Sequence, residues 1–317
     1  MRVFVAGAAG AIGTRLIPRL VAAGHSVTGL THRSENTGVI RQMGAESVIA
    51  DALQADAIRA AVTEARPDVI IHELTDLKGA SDLRKFDRLF AASNRLRIEG
   101  TDHLIAAAKE AGVERFIAQS FCGWPYAPVG DPVKNETAPL DPAPPRELQH
   151  TLDAIRYLES AVLAFGNGIV LRYGAFYGPA TGLFDGPMVE QVRRRRAPVI
   201  GDGDGWWSFI HIEDAAEATA RCVTHGEPGL YNIVDDDPAP VREWLPALAA
   251  LLGAKPPRTV PAWLARLVAG EHIVAMMTKT RAGSNRKAKQ ELGWEPVWSS
   301  WREGFRDVIE QEHLATG

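Results

Sequence analysis

The sequence predicts an α/β protein, a doubly wound parallel sheet covered by helices on both faces, with a smaller C-terminal lobe packed over the strand ends. Three observations predict it. Short apolar runs alternate with helix-patterned stretches through the first half of the chain, the order that βαβ units produce. The first run is followed at once by three spaced glycines, Gly7, Gly10 and Gly13. After Tyr173 the alternation stops, proline and glycine become frequent, and seven of the eight tryptophans lie beyond residue 200.

Residues 2–6 are a short apolar run and read as a buried strand. Residues 11–23 read as a helix that Gly24 ends. Strands follow at 26–31, 47–50, 68–72, 114–119 and 169–173, with helical patterns between them, the longest over about 81–111. Right-handed crossovers turn this order into a doubly wound sheet, whose ligands bind at the carboxyl ends of the strands. Residues 174–207 and 235–317 read as the second lobe. Residues 208–234 return to the main sheet, with GLYNIV at 229–234 as a strand, so the main domain is 1–173 plus 208–234.

The totals narrow the function classes. The chain has 317 residues, 46% apolar and 23% charged, which suits a soluble globular protein with a sizeable core. A net charge of -4 gives no whole-chain field for nucleic acid. Two cysteines, Cys122 and Cys222, are too few for a disulfide framework or a zinc site and read as free thiols in a reducing cytoplasm. MRVFVAG has no apolar stretch long enough for a signal peptide, and no run of ~18 apolar residues exists to span a membrane. The four arginines at 193–196 read as a solvated helix end.

The glycine loop carries the first chemistry. In Gly7-Ala-Ala-Gly10-Ala11-Ile12-Gly13, Gly7 allows the tight turn and Gly10 lets a pyrophosphate approach the backbone. The helix N-terminus beyond favours negative charge, and Gly13 lets helix and strand pack closely. The second strand ends in Leu-Thr-His-Arg33-Ser. An NAD-binding site usually places an acid there, about 20 residues after the glycines, to hold the ribose 2′-hydroxyl. Here Arg33 takes that neighbourhood and suits a 2′-phosphate by charge and by its planar fork of donors. The expected cofactor is NADP(H), with NAD(H) the alternative.

Taken together, these motifs make the chain resemble the short-chain dehydrogenase/reductase superfamily in its extended, epimerase/dehydratase-like branch, built on a Rossmann fold. GxxGxxG at 7–13, Asp51-Ala52, PDVIIHELTD at 67–76, Asn94 with Gly100-Thr101, RFIAQS at 115–120, LRYGAFYGP at 171–179, GDGDGWWSFIHIEDAAEA at 201–218 and AKQELGW at 288–294 carry the resemblance along nearly the whole chain. The resemblance implies adenine contacts from Asp51 and Ala52. It implies further cofactor contacts from Glu73, Leu74 and Thr75 after the fourth strand, and from Asn94 and Tyr173. It also implies a homodimer that pairs the helices around 81–111 and 147–165.

The resemblance fails at PPRELQHTLDAIRYLE, residues 144–159. Leu148, Leu152, Ile155 and Val162 fall at i, i+4, i+7 and i+14, one apolar helix face, with Thr151 beside it. The superfamily carries Tyr-x-x-x-Lys on this helix, with a Glu four residues later. If Glu159 is that Glu, Thr151 stands at the Tyr and Ile155 at the Lys. Isoleucine neither shifts a neighbour's pKa nor holds ribose hydroxyls, and threonine is a poor acid or base. This is the pattern of the atypical members. Candidates for the missing proton donor are Ser120, Thr151 and Tyr126, the last in the loop FCGWPYAP beyond the fifth strand. Tyr126 could equally be a structural ring in a proline turn. Nucleotide-sugar members often place an arginine before F-x-H, where this chain has Trp206-Trp207-Ser-Phe209. Trp207, with Trp124 of the FCGWPYAP loop, therefore suggests an apolar or aromatic substrate, unless the indoles simply pack the lobes. His211-Ile-Glu213-Asp214 lacks a third metal ligand and reads as helix capping, so no metal is expected. The expected function is reduction or oxidation of a small apolar or aromatic carbonyl or alcohol with a non-standard proton donor. The alternatives are a redox-neutral epimerase or lyase step with bound cofactor, and a non-catalytic NADP(H) sensor.

Overall fold

The computed structural model describes residues 1–76, 86–181 and 187–316. Its centre is a seven-stranded parallel sheet of β1 (Arg2–Ala6), β2 (Ser26–Thr31), β3 (Glu46–Ile49), β4 (Val69–His72), β5 (Arg115–Phe121), β6 (Gly168–Tyr173) and β7 (Gly229–Ile233). The spatial order is β7-β6-β5-β4-β1-β2-β3, and every neighbour pair is parallel. The order reverses between β1 and β4, which opens a crevice at their carboxyl ends.

The strands are apolar on both faces because both faces are covered. In β1 the side chains alternate: Val3 and Val5 join one core with Leu16, Ile17, Ile71 and Leu171, and Phe4 and Ala6 join the opposite core with Ile70, Leu104 and Val170. Helices α1 (Gly13–Ala22), α2 (Ala55–Ala65), α3 (Phe86–Arg95), α4 (Thr101–Glu110), α5 (Gln149–Leu163) and α6 (Ile212–Arg221) supply the two covering layers.

The expected strands lie within one or two residues of the observed ones. The expected helix at 81–111 is instead two helices, α3 and α4, joined by a widened π-type turn at Leu96–Gly100, and residues 81–85 of that expectation lie outside the described residues. Turns of this kind recur at functional sites.

The second lobe has its own core. Trp244 and Leu248 of α7 (Val241–Leu251) and Trp301 and Phe305 of α10 (Trp301–Thr316) enclose Tyr177 and Phe209. Between them in sequence, α8 (Ala262–Ala269) and α9 (Glu271–Thr278) form a hairpin beside the strand ends. The cores cross the expected boundary in both directions: Ala288, Leu292 and Trp294 pack into the main core, and Phe209, expected in the main domain, packs into the lobe. Asp214 ties that segment down, its carboxylate accepting the N–H groups of Val297 and Trp298 at 2.9 and 3.0 Å. The arginines at 193–196 are exposed, Arg194 paired with Glu190. Cys122 and Cys222 are buried and free. Among the described residues no helix is long and apolar enough to cross a membrane.

Candidate active site

A long cleft runs over the carboxyl ends of β1, β2 and β4. Gly7, Gly10, Arg33, Asp51, Ala52, Glu73, Leu74 and Thr75 all line it, so the chain brings together eight of the thirteen residues expected to hold cofactor. The glycines divide the work by geometry. Gly7 has φ +99°, and a Cβ there would lie 2.6 Å from the Glu73 carbonyl oxygen. A Cβ on Gly13 would lie 2.4 Å from the Gly7 carbonyl oxygen and 2.5 Å from that of Ala8, so strand and helix could not approach. A Cβ on Gly10 would meet the Gly7 carbonyl oxygen at 3.1 Å and otherwise reach into the cleft, which leaves the backbone open to a pyrophosphate. Ala11 and Ile12 head α1, where N–H groups have no partner within the helix. The cradle fits a dinucleotide on these grounds.

Arg33 is half-buried at the cleft mouth, its Nε 3.1 Å from His32 Nε2. Among the described residues no carboxylate lies within ion-pair distance of it. Asp51 is exposed and accepts the Leu53 N–H at 3.0 Å, which shapes the turn after β3. Tyr173 and Asn94 stand behind the walls. Tyr173 is buried against Glu73, and Asn94 bonds to Thr151 and Arg97, so neither lines the cleft as expected.

Burial and the hydrogen-bond series around Glu73 both favour its protonated form. Three oxygen–oxygen contacts run in series: Glu73 Oε1 to the Tyr173 hydroxyl at 2.9 Å, that hydroxyl to Thr219 Oγ1 at 2.7 Å, and Thr219 Oγ1 to the Ala215 carbonyl at 2.7 Å. With Tyr173 donating to a carboxylate, the one Thr219 proton could not serve both Tyr173 and Ala215. A carboxyl proton would remove the conflict: a protonated Glu73 would donate to Tyr173, Tyr173 to Thr219, and Thr219 to Ala215. Burial acts in the same direction and pushes the Glu73 pKa up to about 8. Its Oε2 is buried without a partner.

A second cavity, of about 200 Å³, opens where α3, α5, the loop after β5 and α9 meet. Phe86, Phe90, Phe121, Trp124, Trp207 and Met276 give it aromatic and thioether walls. Both tryptophans expected to meet substrate are therefore here. Trp207 Nε1–H is held by the Met276 carbonyl at 3.0 Å, and Trp124 stands edge-on to Phe86 at 5.7 Å. Thr151 and Ile155 line the same cavity from α5, one turn apart. Thr151 Oγ1 accepts the Asn94 amide at 3.0 Å and donates to Asp87 at 3.4 Å. Among the described residues no lysine lines this cavity.

The other two candidate donors sit elsewhere. Ser120 is buried and donates to Glu159 Oε1 at 2.6 Å. Glu159 in turn takes the Arg172 guanidinium in a fork, at 2.7 and 2.6 Å. Tyr126 donates to Asn232 Oδ1 at 2.6 Å and accepts from Arg172 at 3.2 Å. Burial, the larger influence, pushes its pKa up, far from any value useful for proton transfer. Neither residue lines the aromatic cavity, and of the three candidate donors Thr151 alone stands in its wall. His211 and Glu213 are also committed: His211 Nδ1 caps α6 by accepting the Glu213 N–H, and the Glu213 carboxylate pairs with Arg15 and Arg19.

Among the lining residues not expected from the sequence, one is charged. Arg97 projects from the widened turn and is only 8% exposed. The signal was present in the sequence as a charge amid apolar helical spacing. His72 beside it is neutral, held down to about 4 by burial, and its Nδ1 accepts the Leu74 N–H.

Known proteins share this architecture. A family model described as "NAD dependent epimerase/dehydratase family" matches residues 3–234. A 3-diazoavenalumate denitrifying reductase from a Streptomyces species is 40% identical over 311 residues, covering 96% of this chain and 99% of that protein. The crystal structure of a UDP-glucose 4-epimerase from Thermotoga maritima with UDP-glucose superposes with a TM-score of 0.77 at 22% identity, covering 100% of both chains. A human epimerase family protein with NADPH superposes at 0.74 and 18% identity, covering 98% of this chain and 99% of that one. At these identities the two structures speak for the fold.

Proposed function

The chain belongs to the NAD dependent epimerase/dehydratase family, and from that premise we propose that it is an NADP(H)-dependent reductase of an aromatic substrate whose reduction needs no proton from the protein. The observation that carries the reading is the cavity wall, where the α5 face offers Thr151 and Ile155 to an aromatic pocket beside the cofactor cleft. Gly7, Gly10 and the α1 N-terminus would hold the pyrophosphate, Asp51 and Ala52 the adenine side, and Arg33 the 2′-phosphate. When bound, the reduced nicotinamide supplies a hydride.

The acceptor follows from what the pocket lacks. A carbonyl that takes a hydride also needs a proton at oxygen, and a positioned acid normally contributes ~10²–10⁴-fold. Here the hydroxyl of the α5 wall is Thr151, and among the described residues no lysine lines the cavity to make it acidic. An aryl diazonium needs no such proton, because ArN2⁺ and hydride balance to ArH and N2. Aromatic faces attract a cation, and dry walls protect it from hydrolysis. The 40% identical relative, named as a denitrifying reductase of a diazo compound, supports this class. Aromatic ketone reduction with Thr151 as donor is the second reading, favoured by that hydroxyl's place in the cavity wall.

The test is a substrate panel with NADPH or NADH: a benzenediazonium salt that carries a carboxylate, benzaldehyde, acetophenone and UDP-glucose. The expected result is NADPH oxidation and N2 release well above the uncatalysed rate with the diazonium. Turnover of the carbonyls alone would establish the second reading, and a protein that binds NADPH and turns over none of the panel would favour the sensor.

A further inference from the structure

Among the described residues Arg97 has no anion to neutralise it. Its guanidinium is walled in at the aromatic cavity, and among the described residues the Asn94 side-chain oxygen, 3.0 Å from one terminal nitrogen, is its single hydrogen-bond acceptor. No carboxylate of the described residues comes within ion-pair distance of it. The nearest carboxylate along its hydrogen-bonded chain is Asp87, reached only through Asn94 and Thr151. His72 on its other side is neutral. Burial lowers the Arg97 pKa to about 10, so it stays charged at neutral pH. An isolated buried cation is costly unless something pairs with it, and its planar fork matches a carboxylate.

We propose that Arg97 binds the carboxylate of an aromatic acid whose ring fills the pocket of Phe86, Trp124 and Trp207. The inference rests on the aromatic-reductase reading and names the substrate's second end. The widened turn at Leu96–Gly100 is what makes the arrangement work: Leu96 lines the cofactor cleft and Arg97, the next residue, lines the aromatic cavity. The cation that Arg97 brings would repel a bare aryl cation, and a carboxylate on the same substrate cancels that repulsion. Through Asn94 the guanidinium and the Thr151 hydroxyl share one hydrogen-bonded frame, so the acid group would be fixed relative to the α5 wall.

The experiment compares cinnamate with cinnamamide, its neutral isostere, by calorimetry on the NADP⁺-loaded protein. A fork of charge-assisted hydrogen bonds in a dry pocket gives the acid about a ten- to hundredfold advantage. Arg97→Gln should level the two ligands, and Arg97→Lys should restore part of the preference, with NADPH affinity held within about twofold in both. Equal binding of acid and amide by the wild type, or binding of neither, overturns the proposal without recourse to any variant. So does an Arg97→Gln protein that loses NADPH affinity instead, which would make Arg97 a cofactor ligand. Because the readout is binding, it separates from the reduction. Failure of diazonium turnover with the acid preference intact removes the reaction and leaves Arg97, and turnover without the preference does the reverse.

Discussion

Replacing Glu73 by Gln should abolish a pH dependence that the fold builds in. In the unfolded chain this carboxyl releases its proton above about pH 4.5, and in the fold it keeps the proton to about 8. Each pH unit between those values favours the unfolded chain, so stability falls as pH rises through the window and levels off above it. From pH 5 to 7 the loss is about 3 kcal/mol, at about 1.4 kcal/mol per pH unit. Glutamine imitates the protonated acid: its amide N–H can donate to Tyr173 and keep the Tyr173–Thr219–Ala215 series intact. It cannot ionise. Reversible urea unfolding of both cofactor-free proteins at pH 5, 6 and 7 measures the difference. The variant should gain on the wild type by about 3 kcal/mol across that range. A difference that stays constant with pH would mean that Glu73 is ionised in the fold, and the proton count would be wrong.

Other perturbations read the rest of the site. Arg33→Asp should weaken NADPH by about tenfold or more and leave NADH nearly unchanged, measured by fluorescence titration; equal wild-type affinities for the two cofactors would remove the 2′-phosphate role. Tyr126→Phe strands Asn232 Oδ1 and an Arg172 N–H, so it should lower stability by about 1–3 kcal/mol in urea while turnover stays within about tenfold. A catalytic collapse at intact stability would return Tyr126 to the reaction. Gly13→Ala forces a Cβ to within 2.4 Å of the Gly7 carbonyl and should strip cofactor binding and lower the melting temperature together.

Much of this was written in the sequence because it is local. Runs such as VFVA and VII are apolar at every position, as suits strands covered on both faces, and the spacing of Gly7, Gly10 and Gly13 needs no tertiary information to interpret. The π-type turn that divides the long helical pattern left no comparable mark. The buried series Ser120–Glu159–Arg172–Tyr126–Asn232 joins residues as many as 106 positions apart, and nothing local distinguishes a tyrosine held in such a series from one facing substrate. The same limit hid Met276 and Thr280, which α9 and the residues after it bring over the cavity from the far end of the chain. Arg97 was legible as an oddity and acquires meaning only when the cavity and the missing carboxylate are both seen.

The central claim is that reduction in this cavity requires no proton from the protein, and Thr151→Val tests it most directly. Valine keeps the shape of the α5 wall and removes the one hydroxyl that replaces the superfamily's acid. Wild type and variant would be loaded with NADPH and mixed with the carboxylate-bearing benzenediazonium in single-turnover experiments, with cofactor oxidation and N2 release followed together against the uncatalysed rate. The account predicts one N2 per cofactor oxidised and a variant rate within about tenfold of wild type. A variant that binds NADPH normally yet loses a hundredfold or more, or a wild type that oxidises no cofactor with the diazonium while reducing aromatic ketones, would contradict it.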